Sequence, residues 1–125
     1  MQSPCRILVI DDVLGVRESI RIALSAAGYE AEVAENGQQA LELLSSGSFD
    51  IVVTDIWMPG VDGISLIKRL RSERPHLRVF AMTGGGPRMT IETAMSLAEV
   101  WGAEEVFVKP FDEALLITAI EGKGH

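Results

Sequence analysis

The chain has 125 residues, 47% of them hydrophobic, and 18 acidic against 11 basic residues give a formal net charge of −7. That is enough chain and apolar residue for one compact domain over residues 1–125 and too little for two. The acidity argues against a nucleic-acid surface, and no apolar run is long enough to span a membrane.

Two sequence periods alternate along the chain. Apolar runs predict buried strands over Arg6–Ile10 ("RILVI"), Glu30–Ala34, Asp50–Thr54, Leu77–Met82 and Val106–Val108. Amphipathic stretches lie between them. After the first strand, Val13, Val16, Ile20, Ala23 and Ala27 fall on one stripe, which Gly28 ends. The second helix is expected to start at Asn36 and stop at Gly47, and the third, "GISLIKRLRSERP", to end before Pro75. The fourth, "RMTIETAMSLAEVWG", stops at Gly102, and "DEALLITAI" forms the last. Lys68, Arg69, Arg71, Glu73 and Arg74 read as a solvated helix face, Met89 and Met95 as packing, and His76 and His125 as surface residues. Cys5, the sole cysteine, allows no internal disulfide and reads as a small buried apolar side chain. With no signal-peptide pattern at the start, a reducing cytoplasm suits it.

Five strands each followed by a helix predict a doubly wound α/β fold, a parallel five-stranded sheet in the order 2-1-3-4-5 with helices on both faces. Ligands in such folds sit at the carboxyl ends of the strands. Strand 1 runs into Asp11 and Asp12, strand 3 into Asp55, strand 4 into Thr83 and strand 5 into Lys109-Pro110. Converging carboxylates repel one another unless cations compensate. Lys109 supplies one positive charge. An all-oxygen set with room for water and phosphate suits Mg²⁺, or Mn²⁺, and no His/Cys cluster offers a zinc site. A carboxylate beside such a metal and a lysine is a nucleophile toward phosphorus.

These motifs, "ILVIDD", "DIVVTDIWMPGVDG", "MTG" and "VKPF", together resemble a response-regulator receiver domain of two-component signalling over essentially the whole chain. The resemblance implies the flavodoxin-like (βα)5 fold of the CheY-like proteins. It implies phosphorylation of Asp55 by a histidine kinase or a histidine phosphotransfer protein. Asp11, Asp12, Asp55 and the backbone carbonyl of Trp57 would hold Mg²⁺, with Asp12 the more direct ligand of the acidic pair. Thr83 matches the switch hydroxyl, Lys109 the phosphate-binding lysine, and Pro110 would follow a cis peptide bond. Such a module catalyses only its own phosphorylation and dephosphorylation, and it signals through the face of the fourth helix, fifth strand and fifth helix. Its partners would be the phosphodonor and a downstream protein or output domain, with no direct nucleic-acid or membrane contact, as a cytoplasmic monomer or a phosphorylation-dependent dimer.

Three departures from the pattern stand out. Val106 occupies the position of the usual aromatic three residues before the lysine, and strand alternation puts Phe107 on the opposite face. The stretch from Thr83 to Lys109 is long, with its excess in "GGGPRM". Trp57 is bulky, and its indole is expected to shield the site from water. Two alternatives remain at this level, a pseudo-receiver that binds partners without phosphorylation and a phosphatase of the haloacid-dehalogenase type. The second requires D-x-D after strand 1, where this chain has Asp11, Asp12 and Val13.

Overall fold

The computed structural model describes residues 5–57, 63–84 and 90–122. Strands β1 (Arg6–Ile10), β2 (Glu30–Ala34), β3 (Ile51–Asp55), β4 (Arg78–Thr83) and β5 (Glu105–Val108) alternate with helices α1 (Leu14–Ala26), α2 (Gly37–Ser46), α3 (Gly63–Glu73), α4 (Ile91–Trp101) and α5 (Glu113–Gly122). All pairings are parallel, in the order β2-β1-β3-β4-β5. This is the expected doubly wound arrangement, with the switch in strand order between β1 and β3.

Side-chain alternation along each strand divides the core in two. Leu8, Ile10, Val52, Val79, Ala81 and Val106 pack beneath α2, α3 and α4, where Leu44, Leu66, Leu70, Ala94 and Ala98 meet them. Ile7, Val9, Ile51, Val53, Phe80, Met82 and Phe107 face Ile20 and Leu24 of α1 and Leu116 and Ile120 of α5. Val106 and Phe107 therefore point to opposite faces, as alternation required.

Local chemistry sets the helix ends. The Asn36 side chain accepts from the Gln39 backbone N–H at 2.8 Å, and Gln39 in turn accepts from the Glu35 N–H at 2.7 Å. Gly28 and Gly102 carry positive φ of 98° and 120°, which ends α1 and α4 with little strain. Thr90 caps α4 by accepting from the Thr93 N–H, so this helix begins at Ile91 rather than in the expected "RM". Met89 and the "GGGPRM" stretch beyond Gly84 lie outside the described residues, as does His125.

Several expectations shift. Strands β3 and β4 each run one residue later than predicted, so Asp55 and Thr83 close their strands from within. The Asp50 side chain is used at the other end of the sheet, where it accepts from the Arg6 N–H at 2.9 Å. The α1 stripe buries Ile20 and Leu24, whereas Val13 is the N-cap residue and 51% exposed and Ala27, the C-cap residue, is exposed, because both lie outside the helix proper. The basic face of α3 is only partly solvated. Arg69 and Glu73 form an exposed pair at 3.0 Å, but Arg74 donates to the Leu44 carbonyl at 2.8 Å, Lys68 lies over the Trp101 ring, and the Arg71 stem crosses Gly102. Long stems lie along apolar surface, so a basic run need not be a wet one. Cys5 is half-buried against the α1/α5 side of the core, with its thiol pKa raised first by burial and then by the Asp50 charge. Met95 packs on the core as expected, and His76 is exposed.

Candidate functional site

The carboxyl ends of β1, β3, β4 and β5 converge on one cluster. The backbone ladder extends past the strands proper: Asp11 N–H donates to Ala34 O at 3.1 Å, Ile56 N–H to Met82 O at 3.0 Å, and Lys109 N–H to Thr83 O at 2.8 Å. These bonds set Asp11, Asp55, Thr83 and Lys109 side by side. Carboxylate oxygens of Asp11, Asp12 and Asp55 lie within 4.8 Å of one another.

The three acids have different surroundings. Asp11 is fully buried; one oxygen accepts from the Val13 N–H at 2.9 Å and the other from Lys109 Nζ at 2.6 Å. The Asp11 carbonyl also accepts from Arg17 at 3.1 Å. Asp55 is 5% exposed, with one oxygen 3.2 Å from Lys109 Nζ and the other 3.4 Å from the Trp57 N–H. Asp12 is exposed, and its carboxylate makes no hydrogen bond with the described residues. Two members are thus fixed by the protein, and the third faces solvent.

Burial pushes the Asp55 carboxyl up to about 6; the Lys109 charge opposes this, the Asp11 charge adds to it, and hydrogen bonds from Lys109 and the Trp57 backbone oppose it. Burial works against the Lys109 ammonium, but its hydrogen bond to Asp11 and the charges of Asp55 and Asp11 outweigh that, and its pKa is raised. The lysine is therefore a permanent cation at neutral pH. Three carboxylates against one ammonium leave negative charge at a site built of oxygen donors. That donor set fits a hard divalent cation of the Mg²⁺ kind.

Thr83 is fully buried at the end of β4, in register with Val108 and bonded through its carbonyl to Lys109. The Lys109–Pro110 peptide is cis, as the family resemblance implied. The side chain of Trp57 turns into the α3–α4 side of the core and lines a groove there.

Gly63 is a site residue that sequence reasoning passed over. It opens α3, and its N–H donates to the Ile56 carbonyl at 2.9 Å. A Cβ there would run into the Asp55 carbonyl oxygen and come within 2.6 Å of Ile56 Cα. The close approach of α3 to the end of β3 fixes the start of that helix against Asp55 and Ile56. Its only signal in the sequence was the glycine eight residues after that acid.

Comparison with known proteins agrees with this geometry. The response regulator receiver domain model matches residues 7–121. The response regulator MprA of Mycolicibacterium vanbaalenii is 39% identical over 108 residues, 86% of this chain and 45% of that protein. The chain thus spans about half the length of that relative. Sporulation initiation phosphotransferase F of Bacillus subtilis is 36% identical over 107 residues, 86% of this chain and 83% of that one. Among solved structures, a CheY-like receiver from Methanospirillum hungatei superposes with a TM-score of 0.87 at 26% identity, covering 97% of this chain and 94% of its own. The response regulator TrrA of Thermotoga maritima, in complex with Mg²⁺–BeF, gives 0.82 at 31% identity, covering 94% and 97%. No helix among the described residues is long and apolar enough to cross a membrane. This chain belongs to the response regulator receiver domain family of two-component signalling, whose members accept a phosphoryl group.

Proposed function

We propose that Asp55 is the phosphoryl acceptor, and that a histidine kinase or a histidine phosphotransfer protein is the donor. The observation that carries this reading is the placement of one buried carboxylate within reach of a permanent cation and of two further acids. With its pKa near 6, Asp55 is ionised at neutral pH yet poorly solvated, as a nucleophile should be. One of its oxygens bonds to phosphorus as the donor's P–N bond breaks, and the electron pair returns to the imidazole nitrogen.

Asp11, Asp12 and Asp55, with the Trp57 backbone carbonyl, would hold Mg²⁺ or Mn²⁺, which neutralises charge on the transferred oxygens. The solvent-facing Asp12 suits the role of the more direct ligand. Lys109 releases part of its attachment to Asp55 and pairs with the incoming phosphoryl oxygens. The Thr83 hydroxyl, one strand away, donates to another of them. The added charge of about −1.5 to −2 then biases the surface of α4, β5 and α5. That surface exposes Val100, Trp101, Val108 and Leu115, apolar residues suited to a downstream protein or output domain. The chain works as one receiver domain over residues 1–125, a cytoplasmic switch that acts only on itself, as a monomer or as a dimer formed on phosphorylation. It makes no direct contact with nucleic acid or membrane.

Intact-mass spectrometry after incubation with acetyl phosphate, with and without Mg²⁺, tests the site. A Mg²⁺-dependent gain of one phosphoryl group, absent from Asp55→Asn, is the expected result. Failure of both acetyl phosphate and beryllofluoride to act on the wild-type chain would refute the acceptor role.

A further inference from the structure

The seam between α3 and α4 carries two basic side chains, Lys68 and Arg71, on one face of α3. Ile64, Lys68 and Arg71 fall at helical spacing on the side of α3 that meets α4, opposite Leu97, Trp101 and Gly102. Between them runs a groove of about 290 Å³, lined by Ile56, Trp57, Ile64, Ser65, Lys68, Leu97 and Trp101. Apart from Ser65 and Lys68 its walls are apolar, and its two indoles come from different elements, one from the end of β3 and one from the end of α4. Lys68 Nζ sits 4.2 Å from the centre of the Trp101 ring. One helical turn on, Nε and Nη2 of Arg71 are buried with no hydrogen-bond partner, and the indole N–H of Trp57 is in the same position.

Neither Lys68 nor Arg71 forms an ion pair with a carboxylate among the described residues, although the chain carries 18 acids. The groove thus offers mainly apolar walls with the Lys68 ammonium and the Trp57 indole N–H, the Arg71 guanidinium lying one turn further on, and no carboxylate among its described lining residues. The complement is a flat apolar body bearing an acceptor of negative charge. The volume is at the lower end of the range for small-molecule sites, which limits the body to one or two rings.

We propose that the α3–α4 seam is a binding site for a small aromatic carboxylate. The ring lies against the indoles of Trp57 and Trp101, and the carboxylate pairs with Lys68 and draws the Arg71 guanidinium edge and the Trp57 N–H toward it. A carboxylate is favoured over a neutral acceptor because charge-assisted hydrogen bonds are the stronger ones and guanidinium matches a carboxylate fork. Binding in this groove requires no phosphoryl group on Asp55.

The chain has only two tryptophans, and both line this groove, so tryptophan fluorescence reports on it when Mg²⁺ and phosphodonor are left out. Titration of the intact chain with 2-naphthoate, against free tryptophanamide as a collisional control, should give saturable quenching with a Kd of about 0.1–1 mM, as befits a ligand of that size. The neutral isostere 2-naphthalenemethanol should not reproduce it. Lys68→Gln, at an exposed position that leaves the core intact, should weaken binding about tenfold, the effect of one charge-assisted contact. Absence of saturation at ten times that concentration, equal binding of the alcohol, or unchanged affinity in Lys68→Gln with an unchanged melting curve would each overturn the proposal.

Discussion

Asp55→Asn replaces a buried carboxylate by a neutral group of nearly the same shape. The folded protein raises that carboxyl from 3.8 to about 6, with burial as the main cause and the Asp11 charge adding to it. A raised folded pKa means that the native state binds the proton more tightly than the unfolded chain does. The stability linked to that proton is fully present below pH 3.8 and is lost as pH rises through about 6. About two units at about 1.4 kcal/mol each make ionised Asp55 a burden of about 3 kcal/mol at pH 8. Asparagine avoids it. Urea unfolding at pH 8 in EDTA should therefore find Asp55→Asn more stable than wild type by about 3 kcal/mol, or about 10 °C in Tm. The gap should close near pH 4, where Asp55 is protonated. Mg²⁺ should stabilise the wild type and narrow the gap from the other side, because it binds the native acid cluster. A gap that is absent at pH 8, or that does not change between pH 8 and pH 4, would refute the account of Asp55 as an ion held against its desolvation.

Gly63→Ala should destabilise the fold by about 2–4 kcal/mol in urea titrations, since the new methyl meets backbone and neither α3 nor β3 can yield alone; a loss below about 1 kcal/mol would show that the helix start moves freely. Lys109→Met should raise the Asp55 pKa above its present value of about 6, because both the charge and the hydrogen bond of Lys109 lower it, and carboxyl-carbon NMR titration reads this directly. Asn36→Ala should cost about 1 kcal/mol by removing the bond to the Gln39 N–H, measured by thermal melting. Trp57→Ala tests whether this indole, which lies in the α3–α4 groove, also screens the acceptor: phosphate loss followed by mass spectrometry should accelerate, and an unchanged rate would confine the residue to the groove.

What the sequence by itself determined is what local pattern and order can encode. Alternating periods dictated strand and helix, and the run of strands each followed by a helix dictated a parallel sheet. The fall of Asp11, Asp12, Asp55, Thr83 and Lys109 after predicted strands put all five at one edge of it, and the sheet brings them together there. What only the tertiary structure decided depends on contacts between residues far apart in the chain. The one-residue shift of β3 and β4 follows from ladder bonds to neighbouring strands, which no window of either strand contains. The division of labour between Asp11, locked to Lys109, and Asp12, open to solvent, is invisible in "DD" because adjacent residues of an extended segment point opposite ways. The need for glycine at position 63 arises from the approach of α3 to the backbone at the end of β3, and the burial of Arg71 Nε and Nη2 from a helix thirty residues further on. A charge run on a helix reads as solvated until a neighbouring helix is known to lie over it.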